Sequence, residues 1–412
     1  MKVAITRKEI TPKEPAYMSG HAIRVGFHQG VLDPLYCTVL LIEGNTSLCF
    51  VTIDVVTVDE AYSCEVKNDI AKTYGIDKHN IFVSFLHNHS GPEFTETNGF
   101  TNSKEHAARP GYREWVKDLI MEMVPECQNK LVEVEAYWTK ATIEGYYGNR
   151  NDNALPSDKG IDVIQFRDTN GIPQACMLNI SCHSTVLGPK NYLLSTDLAG
   201  AIRSELEDTW EVMMTVFIGS AGDVSNRQFR SNDEIGDLRA AQKGIAKQIV
   251  EQINWQKVTT TPIKVHPYEY VIDYNRDVEK LKEEITRIEN VLNSSTNPSE
   301  IQLYTSGLAI QKSVLESDPH VHVDIRGSLI ELGDFLIVTV PAELFTKFGL
   351  LLKKCIDTKK VLVFGYTDYS IGYMVEEDEY GKNYESMASW LKKGDSEKCT
   401  QFLIDKIQEL YN

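Results

Sequence analysis

Apolar, β-branched runs alternate with amphipathic stretches along most of this chain, and that alternation limits what it can fold into. Up to about residue 265, CTVLLIEG and SLCFVTIDVV read as strands joined by a turn at Gly44-Asn45. EAYSCEVKNDIAKTYG reads as a helix closed by Gly75, NIFVSFL as a strand of the fully buried type, and GYREWVKDLIMEMVPECQNKL as an amphipathic helix. IDVIQFRD and ACMLNISCH follow as strands turned near Asn170-Gly171. STDLAGAIRSELEDTW is then a helix, EVMMTVFIG a strand and IGDLRAAQKGIAKQIVEQI a helix. The pattern predicts an α/β fold in which a layered, mixed β-sheet is flanked by helices.

Residues 277–317 break the rhythm. DVEKLKEEITRIENVL is highly charged, with Val278, Leu281, Ile285, Ile288 and Leu292 at helical spacing, and the polar NSSTNPSE precedes a second helix. The segment reads as a helical hairpin inserted on the surface of the main unit. Alternation resumes in VHVDIRGSLIELGDFLIVTVP, two strands turned at Gly333-Asp334, then in the helix AELFTKFGLLLKKCI and the strand KVLVFGYT. An aromatic-rich segment, 366–390, leads into a final helix. The 412 residues, 42% of them hydrophobic, hold material for a sizeable core, and 1–412 reads as one unit.

A net charge of −17 argues against nucleic acid or an anionic membrane surface as partner. It leaves a neutral or lipid-like small molecule open. Eight cysteines form no CxxC pair, which argues against a thiolate zinc knuckle or a thioredoxin-type motif. Cys49 and Cys176 lie inside apolar runs, so buried free thiols are expected, as suits a reducing compartment. No stretch reaches the ~18 apolar residues that cross a bilayer. A soluble, cytoplasmic protein is the expectation.

Candidate chemistry is scattered. In FLHNHSGPEF, His87 and His89 are two residues apart, so on a strand both face one side and can address one site. Neutral imidazoles are good zinc ligands, but two are too few for a catalytic zinc. A pair of histidines on a strand rim reads equally well. ISCHSTVLG adds His183 at another strand end, as a ligand or as a hydrogen-bonded histidine at the core edge. VFIGSAGDVSNR carries Asp223 and Ser225 among small residues, a nucleophile or oxyanion donor on one reading and a tight turn on the other. The GxSxG elbow is absent. VTVPAELF sets Glu343 near the start of a helix. Tyr366, Tyr369, Tyr373, Tyr380 and Tyr384 crowd one segment, for packing or for a phenol ligand. His320 and His322 read as strand surface. His21, His28, His79, His106 and His266 have no neighbouring constellation.

In order along the chain, these stretches resemble the neutral ceramidase family, of the neutral/alkaline non-lysosomal type. VAITRKEITP and GVLDPLYCTVLLIEG are similar to the family's opening. HNHSGP is similar to its HxHSGP motif. GNRN with Arg150, CHSTVLG, AGDVS, VPAELF and YGKNYE follow in family order. Asn226 stands where the family has proline after GDVS, and the segment between Tyr380 and Tyr384 is one residue shorter.

The resemblance implies one Zn2+ held by His87, His183, Glu343 and Tyr384, with His89, Arg150, Ser225 and Tyr373 lining the site. It implies a catalytic domain without the C-terminal β-sandwich of longer members. The implied activity is zinc-dependent cleavage of the N-acyl amide bond of a ceramide-like lipid, by a zinc-activated water with Ser225 assisting. A zinc hydrolase of another amide or ester, small and polar or sugar-linked, is the enzyme alternative. A binding protein on the same fold is the other.

Overall fold

The computed structural model describes residues 1–412 except 22, 23, 25, 97–105, 232 and 412, and excludes the side chains of 298–300, 302 and 303. Nine strands form a first mixed sheet: β1 (Lys2–Glu9), β2 (Tyr36–Glu43), β3 (Ser47–Ile53), β4 (Ile81–Phe85), β5 (Val132–Thr142), β6 (Gly160–Asp168), β7 (Pro173–Ile180), β8 (Met214–Ile218) and β9 (Gln256–Val258). The spatial order is β8-β7-β6-β5-β1-β2-β3-β4, with β9 on β5. β3 and β4 run parallel, as do β7 and β8; the other pairings are antiparallel. A second sheet has the order β10 (Ile263–Asn275), β11 (His320–Leu332), β12 (Phe335–Thr339), β13 (Lys360–Phe364). In it β12 and β13 are the parallel pair.

The apolar runs are explained by what covers each face. Along β2 and β3, Cys37, Val39, Leu41, Cys49, Val51 and Ile53 face helices α1 (Glu60–Tyr74), α2 (Tyr112–Lys130), α3 (Asp197–Trp210) and α4 (Glu234–Glu251). Leu40, Ile42, Leu48 and Phe50 face the other way, against Ile330, Leu332, Phe335, Ile337, Leu362 and Phe364 of the second sheet. The period of two thus divides each strand between two cores. Phe217 of β8 stacks on Phe364 of β13 with ring centroids 4.1 Å apart, which fastens sheet to sheet. Beyond the second sheet, Leu336, Val338, Val361 and Val363 pack on α7 (Thr346–Lys354) and α9 (Asp395–Tyr411). The architecture is therefore four layers: helices, sheet, sheet, helices. The expected layered mixed sheet is present; the second sheet that covers it is what periodicity alone does not show.

Helix ends follow local chemistry. The Asp59 carboxylate accepts from the Tyr62 N–H at the start of α1, and Gly75 closes that helix with φ of 71°. The hairpin is two packed helices, α5 (Val278–Ser294) and α6 (Pro298–Leu315), inserted between β10 and β11, which pair along their whole length. Leu281, Ile285 and Ile288 form its buried stripe. Gln311 of α6 donates to the Met387 carbonyl in α8 (Tyr384–Ala388), so the hairpin rests on the aromatic-rich segment. All eight cysteines are free thiols, and six of them are buried. Among the described residues, no helix is long and apolar enough to cross a membrane.

Candidate metal centre

The C-terminal ends of five strands meet between the two sheets, the place where α/β folds collect their chemistry. β4 leads into His87 and His89, β7 into His183, and β8 into Asp223 and Ser225. From the second sheet, β12 leads into Glu343 and β13 into Tyr366. Backbone hydrogen bonds lace these loops together. The His183 N–H donates to the Val224 carbonyl at 3.0 Å, Arg150 to Asp223 at 2.7 Å, Gly222 to Leu344 at 2.9 Å and Phe85 to Tyr366 at 3.1 Å. Two short strand pairs complete the frame: Gly148–Asn149 with Val224–Ser225, and Glu343–Leu344 with Tyr373–Met374. Gly222 allows one close crossing, because a Cβ there would stand 2.5 Å from the Glu343 carbonyl oxygen.

Two expectations about local structure are corrected. β4 ends at Phe85, so His87 and His89 are not on a strand; His87 has φ of 52°, and this left-handed residue, not a two-residue period, turns both rings to one place. Glu343 lies in a short extended pair, and α7 begins after it, at Thr346, because Asp223 accepts from both the backbone N–H and the hydroxyl of Thr346 at 2.8 Å.

The three imidazoles share one arrangement. His87 Nδ1 is 2.8 Å from the Val56 carbonyl, His89 Nδ1 is 2.7 Å from the Gly20 carbonyl, and His183 Nδ1 contacts the Ala221 carbonyl. A carbonyl oxygen can only accept, so each Nδ1 carries the proton and each Nε2 presents a lone pair. Those lone pairs converge. His87 and His89 Nε2 are 3.1 Å apart, and Glu343 Oε2 lies 2.9 Å from His183 Nε2 and 3.2 Å from His87 Nε2. Acceptors this close repel unless a cation lies among them. Backbone carbonyls that fix the far ring nitrogen are also the usual outer support of metal-ligating histidines. His87, His89 and His183 can therefore hold a metal ion among them.

Charge and burial suit that use. Burial, followed by the Arg150 guanidinium, pushes His183 down to about 3. Burial, followed by the His87 ring, also holds His89 well below the usual range. Both rings are therefore neutral near pH 7, as ligation requires. Burial raises Asp223 to about 6, against the pull of its Thr346 contacts.

Arg150 anchors the phenolic side. Its Nη2 donates to the Gly222 carbonyl at 2.7 Å and to the Tyr373 hydroxyl at 3.2 Å, while its Nε stands 2.6 Å from Glu385 Oε1. That charge contact is out of line for a hydrogen bond, and Glu385 Oε2 has no donor. Tyr373 is the direct strand partner of Glu343, and its ring stacks over His183 at 6.4 Å. Tyr384 stands behind it, with ring centroids 6.1 Å apart. Ser225 is buried, and its Oγ accepts from the Arg227 N–H at 3.1 Å.

Sequence reasoning left three members of this neighbourhood unassigned. Tyr366 is fully buried with φ of 54°, its ring lies 4.6 Å from that of His87, and its hydroxyl has no hydrogen-bond partner among the described residues. Its place in the tyrosine-rich run was visible, but its left-handed backbone was not. His21, expected to stand apart, lies 5.3 Å from the His89 ring. Glu385, the buried counter-charge of Arg150, carried no signal beyond its place in YGKNYE.

No protein-family model and no curated protein matches this sequence. Solved structures do match the fold. One is the neutral ceramidase from Pseudomonas aeruginosa, at a TM-score of 0.76 and 16% identity, over 98% of this chain and 73% of that one. Another is a ceramidase complexed with C2, at a TM-score of 0.75 and 14% identity, over 98% of this chain and 74% of that one. At these identities the likeness is one of fold.

Proposed function

We propose that the chain is a zinc-dependent amidohydrolase acting on the N-acyl amide bond of a ceramide-like substrate. The observation that carries this reading is the convergence of the His87 and His183 Nε2 lone pairs on one Glu343 carboxylate oxygen, with His89 Nε2 3.1 Å from His87 Nε2. The likeness in fold to two ceramidases supports the reaction class. His87, His183 and Glu343 hold the ion, with a phenol as fourth donor; imidazole and carboxylate donors suit zinc. Tyr384 is the phenol implied by sequence resemblance, and the strand pairing of Tyr373 with Glu343 favours Tyr373 for that place. When bound, zinc supplies Lewis-acid polarisation of an amide carbonyl and acidifies water.

The chain's own groups do the rest. Arg150 keeps its charge at any working pH and donates to the Tyr373 hydroxyl, so it can hold that phenol in place while its charge stabilises negative charge that develops on the carbonyl oxygen. His89 is neutral, with Nδ1–H fixed on Gly20, so its Nε2 can accept a proton during attack and return it to the leaving amine. Ser225, whose short strand pairs with Gly148–Asn149 just before Arg150, assists at the reacting carbon. The buried wall around these groups keeps bulk water out and strengthens each electrostatic contact.

The test is metal content by elemental analysis, together with His87→Ala and His183→Ala. One equivalent of zinc is expected in the parent protein, with less than a tenth of that in either variant, and amide hydrolysis falls by at least about a thousandfold. Absence of zinc with hydrolysis intact in both variants overturns the reading. A panel of fluorescent N-acyl sphingosines against short-chain amides and esters then sets the substrate class.

A further inference from the structure

The chain carries a net charge of −17, yet arginines gather around the candidate centre. Arg24 is buried and donates to the carbonyls of Ser19, Asn191 and His89; the last contact, at 2.5 Å, places it directly behind a site imidazole. Its Nε is buried with no hydrogen-bond partner among the described residues. Arg230 donates to the Thr185 carbonyl at 2.9 Å, on the loop that follows His183. Arg227 starts the exposed turn after Ser225 and lies within electrostatic reach of Arg150, Glu385, Arg230 and Tyr373. Arg24 and Arg230 both lie within reach of His21, whose ring packs on His89. The arginines thus form an arc from Arg150 past Ser225 to the back of His89.

Little carboxylate answers this arc. Arg150 has Glu385, but among the described residues Arg24, Arg227 and Arg230 make no ion pair. The carboxylates within electrostatic reach of Arg24 are Asp197 and Glu234. Asp197 accepts from the backbone N–H groups of Val186, Leu187 and Leu198, and Glu234 accepts from that of Gly188. Both are held by the loop, not by the guanidiniums. Burial pushes Arg24 down to about 10, while the Arg227 side chain stands on the exposed turn with no carboxylate paired to it among the described residues. Positive groups that are partly desolvated, fixed and unpaired beside a reaction centre match an anion supplied from outside. On a surface otherwise acidic, such a field also selects and steers.

We propose that the substrate amide carries an anionic group, a carboxylate or a phosphate, and that Arg227 and Arg230 receive it beside the centre, with the buried charge of Arg24 behind His89 adding to the field. This rests on the hydrolase reading and narrows it, since a plain ceramide is neutral.

The experiment is a calorimetric titration of the protein as isolated with three matched compounds: N-octanoylethanolamine, N-octanoylglycine and N-octanoyl phosphoethanolamine. At least one anionic compound is expected to bind about tenfold to hundredfold tighter than the neutral one. Which of the two does so identifies the anion. The preference should shrink as salt rises from about 0.05 to about 0.5 M, and by at least about tenfold in Arg227→Ala and Arg230→Ala. Equal binding of all three, or a preference that survives both substitutions, overturns the proposal. Hydrolysis of the same compounds is followed separately. If none is cleaved while the anionic preference holds, the hydrolase reading fails and the anion site stands.

Discussion

Tyr373 and Tyr384 compete for one role, and the sequence cannot separate them. Both lie in a tyrosine-rich run, and resemblance pointed to Tyr384. The difference arises from a contact distant along the chain: Tyr373 pairs in register with Glu343, whereas Tyr384 sits at the start of a short helix behind its ring. Tyr373→Phe should therefore weaken zinc binding by about tenfold to a hundredfold, and Tyr384→Phe by less than about threefold, in a competition titration against a chelator. The reverse order would return the phenol position to Tyr384. Tyr366 makes a second test at this scale. A buried hydroxyl without a partner is a cost to folding, so Tyr366→Phe should leave stability unchanged or raise it by about 1 kcal/mol in urea unfolding. If that hydroxyl instead serves the reacting groups beside His87, the same variant loses about tenfold in kcat while keeping its zinc. Parental kcat in the stabilised variant would show the hydroxyl to be idle. His87, His89, His183 and Glu343 were legible as residue types; the left-handed turns at His87 and Tyr366 were not, because non-glycine residues with positive φ follow from loop packing and leave no mark in composition.

Elements were legible where the reason for them is local. Gly75 ends its helix, Gly333 turns β11 into β12, and the apolar stripe of α5 is the one its spacing gave. They were less legible where a distant side chain sets the boundary, as Asp223 does for α7. One such distant contact ties two strands of the first sheet to a helix. Asp54, at the end of β3, and Arg203, on α3, form a two-pronged pair at 2.9 and 2.7 Å, and both are buried. Asp54 also accepts from the Tyr36 N–H, so β2, β3 and α3 are tied at one point. Asp54→Asn leaves the Arg203 charge buried without its counter-charge and should cost about 3–5 kcal/mol of unfolding free energy. Combining it with Arg203→Met should recover a large part of that loss, because the lone charge is then gone. If the double variant is no more stable than the single one, the pair contributes through geometry and not through charge balance.

At the scale of the whole molecule, two sheets pressed face to face bring loops from opposite ends of the sequence to one centre. Each strand's alternation was readable, but its second covering layer was not, since a continuous apolar run looks the same under helices or under another sheet. Closing that centre makes it sensitive to acid, and the sign can be worked out. His183 is held at about 3 when folded, against an ordinary value near 6.5 when unfolded. Between those limits the unfolded chain binds more protons, so stability from this ring is present above about 6.5 and falls as pH drops below it. The loss is about 2 kcal/mol by pH 5, at about 1.4 kcal/mol per pH unit. Asp197 and Asp223, both raised to about 6, act in the opposite direction. Their folded forms gain protons more readily, which returns roughly 1.4 kcal/mol each over the same interval. His21, at about 3, and His89, shifted the same way, tip the balance toward loss. For the metal-free chain the net change is therefore a modest weakening. Metal binding adds a term of one sign only, because each imidazole must shed its proton before it can ligate. Because the folded chain holds His183 at about 3 and His89 well below the usual range, these rings remain free of protons at pH 5, and they should keep a gap in Tm between zinc-loaded and chelator-treated protein open there. A gap that closes completely by pH 5 would mean that the rings take up protons near their ordinary values and are not held neutral by the fold.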